Sequence, residues 1–434
     1  MDGWTSEESP RTNSRRASFS WGETLGDAFV FVVIFSSFFQ KSTPGTSQPV
    51  LFDLLLIVCM GIYFAFGLKI PRGLVWPVSM WGLVLAGYGI GGMSAQYGEK
   101  VNAYMEVAVY LTCAFVFFSS YVFASPERRM RVIFNGYALA GIVAASLGIA
   151  GYFGIDATGL SVTLFGRATS TFNDPNVYGP FLIAPAIYLG LRLSKAKSVT
   201  ALLLIPLLGI LVLGLLLSFS RGAWGSFLLS SSLFIGLTLA TSRSAAQSAR
   251  LVAFAGFIGL MVVGIVGVAL STPKVQHLFE QRAALVQDYD EGQGGRFESQ
   301  RMAFVMGLEN PLGIGPEQWA MIHKLDTHNV YLNIFVAGGF LSAFGFLSFL
   351  AMTFVKGKRA IFNLGEGHDF LIVAYVCVIG TMAEAVIIDV DNWRHLFLLY
   401  GVTWGGILAA QTPANTRSRS TPYSPTDLAS GFGA

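Results

Sequence analysis

The stretch VTALLLIPLLGILVLGLLLS, residues 199–218, carries no charged side chain. About 20 apolar residues in a helix cross the hydrocarbon core of a bilayer, so this stretch predicts a transmembrane helix. The rest of the 434-residue chain continues the pattern: 53% of its residues are hydrophobic, 12% are charged, and its mean hydropathy is +0.59. Soluble domains carry about 25% charged residues. We therefore expect a membrane protein and no soluble domain.

Further apolar runs of similar length flank this stretch on both sides. Together the runs cover residues 25–39, 50–68, 74–93, 102–124, 132–153, 177–194, 199–218, 222–241, 251–270, 330–354, 370–388 and 396–410. They predict an all-α polytopic membrane protein with about twelve transmembrane helices and a long, partly helical loop, 271–329, between helices 9 and 10. The predicted domains are a tail, 1–21, a transmembrane domain, 22–410, and a disordered Ser/Thr/Pro-rich tail, 411–434.

Lysine and arginine residues are divided unevenly between the two sides of this topology. One side holds Arg11, Arg15, Arg16, Lys69, Arg72, Arg128, Arg129, Arg131, Arg192, Lys195, Lys197, Arg243, Arg250, Lys356, Lys358, Arg359, Arg417 and Arg419. The other side holds Lys41, Lys100, Arg167, Arg221 and Arg394, apart from the long loop, which counts less. Positively charged segments stay in the cytoplasm, so both tails are predicted to be cytoplasmic and the 271–329 loop to lie outside, which in a bacterium is the periplasm.

Acidic residues at the apolar runs all map to the outer half of the predicted bundle. They are Asp53, Glu106, Glu384, Asp389 and Asp391. A transporter more often carries ionisable residues at mid-membrane and shows two related halves. The pattern favours chemistry or binding at the outer face, with solute transport as the alternative.

Arg221 is the most informative single residue, because only a short turn around Arg221-Gly222 separates two apolar runs. A permanent charge at that depth is costly unless it is paired. It could be an interfacial anchor or a partner of Glu106 or Glu384. The functional interpretation is a phosphate clamp, since a guanidinium fork matches phosphate oxygens.

Arg296 and Arg167 are further candidates for binding an anion. Arg296 follows Gly294-Gly295 and opens a stretch with helical apolar spacing, so free backbone N–H groups would add to its charge. Arg167 precedes Asn173-Asp174-Pro175-Asn176 in an outer loop. It could contact phosphate or be a solvated loop charge.

His328 stands directly before the apolar run that begins at Val330. An imidazole titrates near neutral pH and can take a proton from a sugar hydroxyl, so His328 is a candidate general base; polar packing is the alternative. No spacing of His, Cys, Asp or Glu predicts a metal site, and no Walker-type phosphate loop is present. The sequence therefore predicts no metal and no cofactor.

Four segments together resemble the O-antigen ligase and polymerase superfamily of bacterial envelope glycan enzymes. They are Arg167 to Asn176, Ser218 to Gly222, Gly295-Arg296 to Gly315, and His328-Asn329-x-Tyr331-Leu332 leading to Gly339. Ala337 and Ser342 stand where the family usually has an acidic residue and a second glycine.

The resemblance implies a lipid-dependent glycosyltransferase of the bacterial inner membrane. Such an enzyme transfers a glycan from undecaprenyl diphosphate to an acceptor sugar hydroxyl, that of lipid A-core, on the periplasmic face. Arg221 and Arg296 would hold the diphosphate, Arg167 would add a contact, and His328 would orient or deprotonate the acceptor. A polymerase of O-antigen or exopolysaccharide, extending a growing glycan from the same donor, is the first alternative, and a partner in glycan export is a further one.

Overall fold

The computed structural model describes residues 21–41, 49–155, 161–242, 244–271, 276 and 295–413. Within them the protein is mostly helical and contains one two-stranded sheet. The predicted N-terminal tail up to residue 20, the C-terminal tail from residue 414, and residues 272–275 and 277–294 of the long loop lie outside the described residues.

The helices follow the apolar runs closely. They are α1 (Trp21–Phe35), α2 (Leu51–Ala65), α3 (Val75–Gly92), α4 (Gly98–Ala124), α5 (Pro126–Tyr152), α6 (Pro175–Phe181), α7 (Ile183–Ser194), α8 (Ser198–Leu217), α9 (Arg221–Thr241), α10 (Ala245–Leu270), α11 (Arg296–Glu309), α12 (Gln318–His323), α13 (Val330–Phe362), α14 (His368–Glu384) and α15 (Arg394–Gln411). Short 3-10 turns cover Ser36–Phe38 and Arg72–Leu74. The antiparallel strands β1 (Thr163–Leu164) and β2 (Arg167–Ala168) form a hairpin.

Seven described segments are long and apolar enough to cross a membrane. They are Arg72–Gly92, Gly98–Ala124, Pro126–Tyr152, Pro175–Ser194, Val199–Leu217, Arg221–Thr241 and Val330–Phe362. The span Val199–Leu217, in α8, is the most apolar of them, yet only 28% of its residues are buried. Large apolar surfaces turned outward are typical of helices that face lipid. A multi-pass helical membrane protein is thereby confirmed, and the number of about twelve spans stays a prediction.

The predicted run 177–194 is interrupted. It forms the two helices α6 and α7, which meet at Leu182. Pro185 has no N–H to donate to the carbonyl group of Phe181, and its ring crowds that group. The break follows from this proline and from Pro180 inside α6.

Aromatic side chains join four helices at the centre of the bundle. The ring of Phe349, on α13, lies 5.5 Å from Trp81 on α3, 5.7 Å from Phe115 on α4 and 4.9 Å from Tyr400 on α15, all centroid to centroid. Edge-to-face pairs of this kind add to the stabilisation that burial provides. The cluster anchors α13 and α15, whose N-terminal ends lie at the candidate site.

Helix α13 is kinked at Gly339, whose φ of 63° and ψ of −159° are open to glycine alone. The kink leaves carbonyl groups without helical partners. The loop after α11 supplies the donors: Ile314 N–H donates to Val336 O at 2.9 Å, and Gly315 N–H to Ala337 O at 2.9 Å. In return, Phe340 N–H donates to Pro311 O at 3.0 Å. The Asn310-to-Gly315 motif is thus bonded by its backbone to the broken helix.

We expect Gly339→Ala to destabilise the protein strongly. An added Cβ would lie 2.1 Å from Pro311 O, and the backbone conformation alone costs about 1–3 kcal/mol for a non-glycine residue. The midpoint of thermal unfolding in detergent measures the effect. Gly236→Ala is the matched control, because a Cβ there meets nothing within 4 Å. Equal midpoints for the two variants would contradict this account of the kink.

Candidate active site

Arg221 is the first residue of α9 and follows a tight turn from α8. Phe219 takes a left-handed conformation, with φ of 47°, which reverses the chain. The Ser220 hydroxyl then caps α9 by accepting from Ala223 N–H at 3.3 Å, as serine at an N-cap commonly does. The sequence Ser218-Phe219-Ser220 therefore places the Arg221 guanidinium at the end of the bundle.

Arg167 fastens this turn to a neighbouring hairpin. Its Nε donates to Ser218 O at 2.8 Å and its Nη2 to Asn176 Oδ1 at 2.7 Å. Asp174 caps α6 by accepting from Asn176 N–H at 2.7 Å. Arg167 is 8% exposed, so the alternative of a solvated loop charge is wrong. Its hydrogen bonds hold together the β-hairpin, α6 and the turn before Arg221.

The loop that carries His328 is held by the carboxylate of Asp389, from the segment between α14 and α15. One Asp389 oxygen accepts from His328 N–H at 3.0 Å, and the other accepts from Asn329 N–H at 3.0 Å and from the Thr327 hydroxyl at 2.8 Å. Asn329 in turn caps α13 through Tyr331 N–H at 3.0 Å. His328 has a left-handed φ of 50°, a conformation that these bonds stabilise.

Arg296 opens α11, as the sequence predicts, with Gly295 at the N-cap. Two side chains in the first turns of α11 bind the histidine loop: the Ser299 hydroxyl donates to Asp326 O at 2.9 Å, and Gln300 Nε2 to His328 O at 3.1 Å. The position of Arg296 relative to His328 is therefore set by hydrogen bonds and not by the loop alone.

All four predicted site residues line one open cavity of about 360 Å³ at this end of the bundle. Its lining consists of Arg167, Asp174, Asn176, Val177, Phe219, Ser220, Arg221, Gly222, Arg296, Asp326, His328, Glu384, Ile387, Ile388, Asp389 and Trp393. Three arginines and a histidine from separate segments therefore line the same small space. Such an arrangement can bind an anion with several charged oxygens and can exchange a proton next to it.

Four carboxyl groups line the cavity together with the arginines, and two of them accept hydrogen bonds that hold the site's own backbone in place. Asp174 caps α6 and Asp389 holds the histidine loop. Glu384 is 4% exposed, and its oxygens meet no hydrogen-bond partner among the described residues. The Glu384 side chain packs against the start of α9, where a Cβ added at Gly222 would lie 2.7 Å from Glu384 Oε1. Gly222 is needed for this contact.

Sequence reasoning found the arginines and His328 and named Glu384 as a possible partner of Arg221, but it gave no role to Asp389 or Gln300. In the sequence, Asp389 stands out only as an acidic residue of the outer half, and Gln300 only lies within the segment from Gly295-Arg296 to Gly315. The bonds of Asp389 and Gln300 join residues that lie 28 to 86 positions apart, so spacing along the chain carries no signal for them. Among the described residues, no three His, Cys, Asp or Glu side chains are grouped to hold a metal ion.

The stability of the site should depend on pH through Asp389. Burial and the nearby Asp391 raise the pKa of Asp389 from 3.8 to about 7. Between these values the folded protein binds a proton that the unfolded chain does not. The stabilisation is therefore fully present below pH 3.8 and is lost as the pH rises towards 7.

Asp389→Asn cannot ionise, so we expect it to flatten the pH dependence of the unfolding midpoint between about pH 4 and pH 7. Thermal unfolding of both proteins in buffers across that range measures the difference. The same slope in the variant and the parent protein would show that Asp389 does not titrate there.

Comparison with known families agrees with the motifs. Residues 181–347 match a family model described as O-antigen ligase. The match includes Arg221, Arg296, His328 and the kink at Gly339, whereas Arg167 precedes it. No curated protein shows a significant match to the chain. The resemblance inferred from the sequence is thus confirmed by the match of residues 181–347 to the O-antigen ligase family model.

Proposed function

We propose that the protein is a glycosyltransferase that moves a glycan from undecaprenyl diphosphate to a sugar hydroxyl of lipid A-core. The observation that carries the proposal is the single cavity that gathers Arg167, Arg221, Arg296 and His328 in a helical membrane protein with an O-antigen ligase domain. A donor with a long isoprenoid tail and a charged head requires a charged site next to a bilayer.

In the proposed reaction, Arg221 and Arg296 bind the diphosphate of the donor. The bond between the anomeric carbon and the phosphate oxygen breaks, and negative charge grows on the leaving diphosphate. Preorganised guanidinium groups stabilise that charge in the transition state. Arginine keeps its charge at any physiological pH, so the proposal assigns to these side chains the charge neutralisation that other enzymes obtain from a metal ion.

His328 acts on the acceptor in this proposal. Its imidazole takes the proton of the acceptor hydroxyl as the oxygen forms the new glycosidic bond. Asp389 and Gln300 hold the backbone on either side of the ring, so they are positioning residues. Arg167 contributes a further contact to phosphate or sugar, and its bonds to Ser218 and Asn176 fix its direction.

The proposal includes a location. The cavity end of the bundle faces the periplasm of a bacterial inner membrane, and the tails lie in the cytoplasm. The excess of lysine and arginine in the opposite segments supports this orientation.

Purified protein in nanodiscs tests the proposal. Undecaprenyl diphosphate-linked glycan is supplied with or without lipid A-core, in the presence of EDTA, and the products are separated by mass. Glycan attached to lipid A-core is the expected result. A ladder of longer lipid-linked glycans without lipid A-core would identify a polymerase, and an unchanged donor in both cases would overturn the enzyme proposal in favour of transport or export.

A further inference from the structure

Helix α11 has its small residues on the inside. Ser299, Ala303 and Gly307 are spaced four apart and are buried, which places them on one face of the helix. Gly307 packs so tightly that a Cβ would lie 2.5 Å from the Phe335 ring on α13. This face has no side chains large enough to form a hydrophobic core of its own.

The large apolar residues of α11 point outward instead. Phe297 is 53% exposed, Phe304 50% and Leu308 51%, and Val305 and the following Leu312 are exposed as well. We call these five residues the α11 patch. A surface helix of a soluble protein has the opposite pattern: its large apolar residues face the protein core and its polar residues face water. Removing large apolar side chains from water lowers the free energy, so the patch favours an apolar environment.

The α11 patch lies beside exposed apolar residues of a candidate membrane span. Phe304 lies 6.4 Å from Phe335, and Phe335 lies 5.0 Å from Phe340, between ring centroids. Phe340 is 54% exposed and Phe344 61% exposed, and both lie on the candidate membrane span Val330–Phe362. The buried ring of Phe335 thus joins the exposed rings of α11 and α13, so a medium that covers one would also cover the other.

The charged residues of α11 agree with a position at the membrane surface. By the 100° step of the helix, Glu298 and Glu309 lie on the flank away from Phe297, Phe304 and Leu308, next to Val305 at the edge of the α11 patch. Arg301 lies on the apolar side and is exposed, and its long stem can cover apolar surface while its head reaches the headgroups.

We propose that α11 is an interfacial helix, lying along the bilayer surface with the α11 patch among the acyl chains and its acidic flank in water. The occupant of the patch is lipid, not a protein partner. A helix in this position keeps its first residue, Arg296, at the depth of the lipid headgroups. Only this last consequence rests on the proposed function, because a lipid-linked diphosphate sits at that depth.

Spin labels on cysteine variants test the proposal without any measurement of activity. Labels replace Phe304, Leu308 or Glu309 in a Cys113→Ser background, which removes the exposed native thiol. All three positions are exposed, so labels there do not disturb the core. The protein is placed in nanodiscs, and collisions with oxygen, which is enriched in acyl chains, and with a water-soluble nickel chelate are compared.

We expect the ratio of oxygen to nickel collisions at positions 304 and 308 to be at least about fivefold higher than at position 309. A ratio at 304 and 308 equal to that at 309 would show that the patch faces water. Low collision rates with both reagents would show that protein covers it. Either result overturns the proposal, and neither bears on whether the enzyme transfers glycan.

Discussion

Replacing Arg221 by alanine should lower the rate of glycan transfer by about 100- to 1,000-fold, the range found when one preorganised donor to a developing oxyanion is removed. Arg221 begins α9 within the cavity, and in the proposed reaction it faces the charge that grows on the diphosphate. Arg296→Ala should have a loss in the same range. Arg221→Lys keeps the charge but loses the fork of donors, so it should recover only part of the rate.

Single-turnover rates with saturating donor measure these losses, since they exclude product release. Arg301→Ala is the matched control, because Arg301 lies on the same helix as Arg296 but does not line the cavity. The folded fraction of each variant is checked by its unfolding midpoint. If the Arg301 variant loses as much activity as the Arg296 variant, the loss comes from α11 as a whole and the phosphate clamp is refuted.

Replacing His328 by alanine should lower the transfer rate by about 100- to 10,000-fold, the range for a general base. Donor binding should stay close to that of the parent protein, because the diphosphate is assigned to the arginines. The measurement is the rate of transfer together with the affinity for the lipid-linked donor. This pattern, a fall in rate without a fall in donor affinity, separates a catalytic histidine from a structural one.

His368→Gln is the control for the histidine prediction, since His368 lies at the opposite end of α14 from Glu384. It should leave transfer unchanged. If His328→Ala transfers at the parent rate while the arginine variants do not, the base is another group, and the buried Glu384 is the first to test.

The membrane helices could be predicted because the signal for them is local. A run such as 199–218 contains no charged residue and few polar ones, and α8 covers Ser198–Leu217. The start of α11 at Arg296 was also predictable, since Gly294-Gly295 precedes a helical pattern. The break at Leu182 was missed, because the run reads as continuous unless Pro180 and Pro185 are given weight.

The arginines of the site could be predicted from the sequence, whereas most of its other residues could not. Arginines at short turns between apolar runs stand out, because a permanent charge at that depth is costly. Asp389 and Gln300 do not stand out, since their effect depends on hydrogen bonds to backbone groups far away in sequence. The same holds for Arg167, which was expected to be either a phosphate contact or a surface charge and proves to be a buried link between a hairpin and a turn.

The kink of α13 bears on how the protein is made. Carbonyl groups of Val336 and Ala337 receive their donors from Ile314 and Gly315, and an unpaired carbonyl in a bilayer costs several kcal/mol. The first part of α13 therefore cannot be a stable membrane segment until the preceding loop has closed over it. Stable packing of α13 is therefore coupled to docking of the loop, and we expect a truncation that removes Pro311 to Gly315 to lower the amount of folded protein that accumulates in the membrane.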